Sequence, residues 1–355
     1  MLVLGLESSC DETAAAIVEG DGLVRSSVVA TQHDLHAEYG GVVPEIASRA
    51  HVERIQPVVR EAIAQAGITP RDLDAVAVAN QPGLVGSLLV GVAAAKALAW
   101  SLGVPLVGVN HVHAHLDAVR LRHDETVDHA DVFPALGLVV SGGHTAIYRV
   151  ASRTQFERVG STIDDAMGEA FDKVAQILRL PHPGGPEVDR LASEPDADPG
   201  RFRLPVPRLP KRPLDFSFSG LKTAVLYTVR GTPRPAKEGG GFPRELTDVS
   251  DIDRRDLAAS FQRTAVKAVM LKLGRALDER VPEARALIAG GGVTANSHLR
   301  SELARFAHEH DLELKLPKPE FCIDNAAMIA SLGADVLESQ GADGISLTPT
   351  PTTAR

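Results

Sequence analysis

Two histidines four residues apart give the sharpest chemical signal in the chain. In His111-Val112-His113-Ala114-His115, the first and last rings share one face if the segment is helical. That spacing suits a two-histidine metal site. Residue 112 is valine, so the glutamate that serves zinc proteases as general base is missing. The plain alternative is a solvated histidine cluster. A third ligand must come from elsewhere. Asp324, in Cys322-Ile323-Asp324-Asn325, is a candidate, and the same position could cap a helix. Asp11 and Glu12 stand side by side in an early turn. There they could steer a cation, a water or a phosphate-bound metal, or form a charged hairpin tip.

Two glycine turns offer backbone N–H groups to anionic oxygens: Ser141-Gly142-Gly143-His144-Thr145, and Gly290-Gly291-Gly292 running on to Asn296. Neither follows the Walker or dinucleotide pattern. Together, with Asn296 able to meet a base or ribose, they point to nucleotide binding. Asp164, Asp165, Glu169 and Asp172 form an acidic cluster. Helical spacing places the last three on one face, where they could hold ribose hydroxyls or simply be solvated. Pro183-Gly184-Gly185-Pro186 is a rigid turn that permits close approach. Phe216-Ser217-Phe218-Ser219-Gly220-Leu221-Lys222 could contact RNA backbone or an acyl-adenylate, or form a strand edge with a turn.

The elements that must position these groups alternate. Apolar runs predict strands over Leu2–Leu6, Ala14–Val18, Leu73–Val78, Leu106–Val109 and Ala286–Ala289. Helices are expected around Ile46–Ile55, over Val58–Ala66, from the Gly83–Gly91 stretch to Leu102, over Asp256–Arg280 and from near Ala295. Leu4–Ile17 (LGLESSCDETAAAI) and Leu136–Tyr148 (LGLVVSGGHTAIY) form a weak internal repeat: each begins Leu-Gly-Leu, turns through small polar residues and resumes at Thr-Ala. Strands alternating with helices in two such halves predict a duplicated α/β protein, with ligands at strand ends. Pro199–Pro213, dense in proline and basic residues, is expected to be a loop, Gly231–Ser250 to be mobile, and the Thr/Pro-rich tail after Ser346 to be frayed.

Composition narrows the function. At 355 residues the chain suits two lobes. Its net charge of -9 argues against a protein that grips nucleic acid unaided, so any RNA contact needs a local basic patch or a partner. With 4% aromatics and one tryptophan, Trp100, a broad base-stacking platform is not expected. Two cysteines, Cys10 and Cys322, make no disulfide framework. The first residues carry Glu7, Asp11 and Glu12 and do not read as a signal peptide. Lys96 interrupts the apolar stretch Leu84–Leu102, so no membrane span is expected and the compartment reads as cytoplasmic.

Eight motifs in order resemble the tRNA N6-adenosine threonylcarbamoyltransferase family (TsaD, also Kae or Gcp). They are Glu7–Thr13, His33–Ala50, Asn110–Leu116, Val140–Thr145, Asp164–Lys173, Phe216–Thr223, Ala289–Asn296 and Cys322–Ala330, and the resemblance runs from Leu2 to about Leu347. It implies a two-lobed ASKHA fold (actin, Hsp70 and sugar-kinase-like), with duplicated ribonuclease-H-like lobes and a cleft between them. The expected lobes are 1–120 with 324–347, and 121–323, with 348–355 a flexible tail. It implies transfer of threonylcarbamoyl from threonylcarbamoyl-AMP to the adenosine at position 37 of tRNAs reading ANN codons. By motif, His111, His115 and Asp324 are the implied metal ligands, with iron usual and zinc the other divalent ion to consider. Val139, Val140, Ser141, Gly142, Gly143, Asp172, Gly185, Asp189 and Asn296 are the implied nucleotide or acyl-adenylate contacts. Asp11 and Glu12 match positions implicated in activity. A TsaB-like paralogue and a TsaE-like ATPase are the implied partners, and no membrane. Gly231–Ser250 is longer than expected for a compact bacterial member, and His113 is left without a role. The rival readings are a metal-dependent protease and a non-catalytic ATP-dependent binding protein.

Overall fold

A computed structural model of the chain describes residues 1–36, 39, 41–124, 132–234, 240–245 and 249–352. They fall into two compact units, Met1–Asp131 with Ala151–Phe156 and Leu316–Arg355, and Val132–Val150 with Glu157–Lys315. In the first unit, strands β1 (Leu2–Glu7), β2 (Glu12–Glu19), β3 (Val24–Thr31), β4 (Ala75–Gln81) and β5 (Leu106–Asn110) form one sheet in the order β3-β2-β1-β4-β5. The β1–β2 and β2–β3 pairs are antiparallel, and β1–β4 and β4–β5 parallel. Between β3 and β5 come helices α1 (His33–His36), α2 (Pro44–Ala66) and α3 (Val85–Leu102), and α4 (His111–Asp117) follows β5.

The second unit repeats this plan. Strands β6 (Ala135–Val140), β7 (Thr145–Ser152), β8 (Gln155–Ser161), β9 (Ala286–Gly290) and β10 (Glu313–Lys315) lie in the order β10-β9-β6-β7-β8. The β6–β7 pair is antiparallel, and β6–β9 and β9–β10 are parallel. Helices α5 (Met167–Ile177), α6 (Gly184–Ala192), α7 (Ser219–Arg230), α8 (Asp251–Arg280) and α9 (Ser297–Glu309) belong to it. The two segments of the sequence repeat are the β1–β2 and β6–β7 hairpins, which hold equivalent places in the two sheets.

The chain then returns to the first unit as α10 (Ala326–Gln340). Strand residues alternate between faces, so Leu4, Leu6, Ile17, Val76 and Val78 pack with α2 and α3. On the other face, Val3, Ala14, Ala16, Ala77 and Val109 pack with α10. Small residues bring α10 in close. A Cβ on Gly5 would lie 2.2 Å from the Ala326 carbonyl oxygen, and one on Gly333 2.4 Å from the Ala77 Cβ. This contact fixes where the start of α10 meets the end of β1.

Several boundaries differ from the sequence reading. The two helices expected between residues 46 and 66 are one, α2, with Pro57 inside it. The bond lost at Pro57 is tolerated because Ile55, Val58, Val59 and Ala62 on either side are held in the core. Helix α8 starts at Asp251, where the Ser250 hydroxyl accepts from the Asp253 N–H at 3.1 Å. Helix α9 starts at Ser297, after a 3-10 turn over Gly292–Ala295. The tail is tied down as far as Pro351. The Thr350 N–H donates to the Asn80 carbonyl, and the Gly83 N–H donates to that of Pro351. Part of Gly231–Ser250 (235–239 and 246–248) and the end of the tail (353–355) lie outside the described residues. Helix α3 is long and apolar enough to cross a membrane, against expectation. Its Leu88, Val92, Ala95 and Ala99 are nevertheless packed in the core of the first unit.

Gly5→Ala should destabilise the protein by about 1–3 kcal/mol through overpacking, measured by chemical denaturation. It should also weaken cation binding, because α10 carries Asp324 at its entrance.

Candidate active site

The Asn110 side chain starts α4, accepting from the Val112 and His113 N–H groups at 2.9 and 3.1 Å. One helical turn then brings His111 and His115 together, with ring centroids 4.7 Å apart. Both rings are buried. The Asp324 carboxylate completes the group, with its Oδ1 3.2 Å from His115 Nε2 and 3.6 Å from His111 Nε2. Asn325, rather than Asp324, caps α10, accepting from the Met328 N–H at 3.0 Å. Asp324 faces the histidines.

Glu7, at the end of β1, is the member the sequence reading left unassigned. It is fully buried, and its Oε2 lies 2.8 Å from His111 Nδ1. A carboxylate there accepts the Nδ1 proton and turns Nε2 toward Asp324, the usual arrangement behind a metal-bound histidine. No spacing rule links residues 7 and 111; the only signal was a glutamate closing an apolar strand. Burial works against protonating His111, but Glu7 and then Asp324 outweigh it and hold the ring up to about 9. Among the described residues, neither nitrogen of the wholly buried His115 has a hydrogen-bond partner, which is costly unless something else engages it. Two imidazoles and a carboxylate within 4.8 Å of one another suit a divalent cation. His113, on the other side of α4, stacks on Phe156 at 4.4 Å.

Asp11 and Glu12 precede and begin β2, and with His33 they form a second close group. Burial, then the Asp324 and Asp11 carboxylates, push Glu12 up to about 10. His51 steadies this turn: its Nε2–H donates to the Cys10 carbonyl at 2.9 Å, leaving Nδ1 to accept from the Thr13 hydroxyl at 2.7 Å. Burial lowers the His51 pKa, in keeping with a neutral ring.

In the second unit the predicted nucleotide residues form one connected frame. Val139 and Val140 are buried in β6, so they carry the turn rather than line it. Ser141 closes the turn, its Oγ accepting from the His144 N–H at 3.1 Å. Gly142 and Gly143 are exposed, and a Cβ on either would meet open space. The first amides of α5 donate to this turn, Gly168 to the Ser141 carbonyl and Glu169 to that of Gly142. The half-buried Asp172 accepts from the Gly184 N–H at 2.9 Å, joining α5 to α6 beside Gly185; burial raises its pKa. Asp189 accepts from the Ser297 N–H and hydroxyl at 2.9 and 2.8 Å, joining α6 to α9. Asn296 caps α9 and donates to Gln262 at 2.8 Å, joining α9 to α8.

The remaining motifs are structural ties. Asp165 lies before α5, not on it, and binds both Lys173 and Lys222 at 2.8 and 2.9 Å. Asp164 accepts from the Ser217 and Ser219 hydroxyls and the Phe218 N–H. Neither aspartate is a freely solvated helix face, and Lys222 is engaged inside the protein.

Known structures with this architecture define the class. HypF from T. kodakarensis matches 95% of this chain and 48% of its own, with TM-score 0.57 and 15% identity. The activator of the 2-hydroxyisocaproyl-CoA dehydratase from Clostridium difficile matches 95% of this chain and 96% of its own, with TM-score 0.51 and 13% identity. The fold is of the ASKHA type. A model of the family described as tRNA N6-adenosine threonylcarbamoyltransferase matches residues 23–331. Proteins of that name from Nitratidesulfovibrio vulgaris and Bacillus subtilis are 49% and 46% identical over 336 and 341 residues. These matches cover 94% and 95% of this chain and 90% and 91% of theirs. The chain belongs to the tRNA N6-adenosine threonylcarbamoyltransferase family.

Glu7→Gln should weaken cation affinity about 10–100-fold, measured by isothermal titration with Zn2+. In the cation-free protein His111 is protonated below about 9, and a bound cation must expel that proton. Apparent affinity should therefore rise roughly tenfold per pH unit from about 6 to 9 and then level off; a flat profile would contradict the ligand assignment.

Proposed function

We propose that this chain transfers a threonylcarbamoyl group from threonylcarbamoyl-AMP to the exocyclic amine of the adenosine at position 37 of tRNAs reading ANN codons, releasing AMP. One observation carries the reading: in a chain of this family, wholly buried His115 has no hydrogen-bond partner among the described residues and faces His111 and Asp324. In the reaction a bond forms between the amine nitrogen and the carbamoyl carbon. The bond from that carbon to the phosphate oxygen breaks, and the amine gives up a proton.

The open backbone at Gly142, Gly143 and Gly185 suits close approach of the nucleotide phosphate and ribose. Asp172, Asp189 and Asn296 hold the surrounding helices in register. Asp11 and Glu12 are assigned to proton handling. Because Glu12 is held neutral in the cation-free protein, it suits donation of a hydrogen bond, and Asp11 suits acceptance of the amine proton. His111, His115 and Asp324 would hold one divalent ion, which supplies Lewis-acid polarisation when bound; iron is proposed, and zinc suits the same ligands. A poor nucleophile such as an exocyclic amine makes positioning a large part of the rate.

A TsaB-like paralogue and a TsaE-like ATPase are proposed as partners, because a chain of net charge -9 gains from sharing the tRNA. Both cysteines are free, in keeping with a cytoplasmic location. The lobes are proposed as 1–120 with 324–347, and 121–323.

The test is a transfer assay with the purified chain, partner proteins, labelled threonylcarbamoyl-AMP and unmodified ANN-reading tRNA. Label should reach the tRNA with the unaltered chain, fall to background with His115→Ala, and largely survive Glu12→Gln. Absence of label with folded, cation-loaded chain and all partners present would sink the reading.

A further inference from the structure

Pro199–Pro213 is a segment that the chemistry above leaves unused. From Arg201 to Pro213 it reads RFRLPVPRLPKRP, with five cations, four prolines and no carboxylate. Within a chain of net charge -9 it is a local concentration of positive charge.

Its conformation sorts the side chains. The segment has no regular secondary structure up to Leu209. Phe202, Leu204, Val206, Pro207 and Leu209 are half-buried, while Arg201, Arg203, Arg208, Lys211 and Arg212 are exposed. Prolines fix φ and remove donors, so the strip stays extended without pairing as a strand. Both ends are fastened to α8. The Phe202 N–H donates to the Ser260 hydroxyl at 3.3 Å, and the Lys272 ammonium donates to the Pro213 carbonyl at 2.6 Å. Twelve helical residues separate those anchors, about 18 Å along the axis.

The cations differ in what they do. Arg201 is an anchor, paired with Asp253 and Asp256. Arg203, Arg208 and Lys211 form no ion pair among the described residues. Arg263, on α8, has none either, and its guanidinium lies 4.0 Å from where a Cβ on Gly200 would sit. It extends the charge beyond the start of the strip. Exposed cations left unpaired, on a backbone held rigid, present charge without the ordering cost of a flexible tail. A polyanion with regularly spaced charges fits such a strip.

The structure assigns Arg203, Arg208 and Lys211, on the extended strip over α8, to the phosphate backbone of the RNA substrate. The assignment rests on the transferase reading for the identity of that RNA.

The experiment compares the full chain with Arg203→Gln/Arg208→Gln/Lys211→Gln, titrated against a fluorescein-labelled tRNA transcript that reads ANN codons, from 50 to 200 mM salt. The triple variant should keep its circular dichroism and melting temperature and bind at least tenfold more weakly. Its salt slope should become shallower by about 2–3, the value for three lost phosphate contacts. A charge-preserving variant, Arg203→Lys/Arg208→Lys/Lys211→Arg, should bind as the unaltered chain does. Unchanged affinity and slope in the triple variant would overturn the assignment, as would equal loss in the charge-preserving one or no binding by the unaltered chain at 50 mM salt. Normal tRNA binding with loss of the protein partners would overturn it in favour of an acidic protein surface. These isotherms need no turnover, so absent transfer by the unaltered chain would count against the transferase reading alone.

Discussion

Carboxyl groups crowded at the end of β1, the start of β2 and the approach to α10 are the constraint from which the first unit is organised. Glu7 is buried outright, Glu12 lies near Asp324 and Asp11, and Asp324 faces two buried imidazoles. Like charges in a water-poor setting repel strongly. The protein answers by holding a proton on Glu12 and on His111. A divalent ion held by His111, His115 and Asp324 would take the place of the His111 proton, which makes the arrangement costly empty and favourable filled.

That crowding is possible only because the backbone is pressed together. Glu7 ends β1, Asn110 ends β5, and both strands point the same way in the sheet through β4. The site therefore lies at the carboxyl ends of parallel strands, where α/β proteins place ligands. Helix α10 brings Asp324 there because Gly5 and Gly333 let its backbone touch the sheet. The second unit uses the same hairpin and the same strand order with different residues at the turn. Its turn is filled with Ser and Gly instead of Asp and Glu, and its carboxylates brace helices. Duplication supplied two equivalent corners, one lined by carboxylates and imidazoles and the other by serine and glycine.

Much of this was legible in the chain. Apolar runs placed β1, β2, β4, β5 and β9, the repeat marked β6 and β7, and β3, β8 and β10 were not foreseen; the i, i+4 spacing paired His111 with His115, and glycine runs marked the turn at 141–143 and the entry to α9. The ordered motifs identified the family. These are local properties, fixed by neighbours within a few residues and therefore written in the order of amino acids.

What only the tertiary structure decided are pairings across long separations. Glu7 meets His111 across 104 residues, and Asp164 meets Ser219 across 55. Asn325 rather than Asp324 took the cap, which one-residue ambiguity in helix starts leaves open. Pro57 does not divide α2, because burial on both sides outweighs one lost hydrogen bond. The basic strip read as a mere loop until its inward residues and its two anchors on α8 were placed. No local pattern determines which charges find partners, since pairing depends on which distant elements the core brings together.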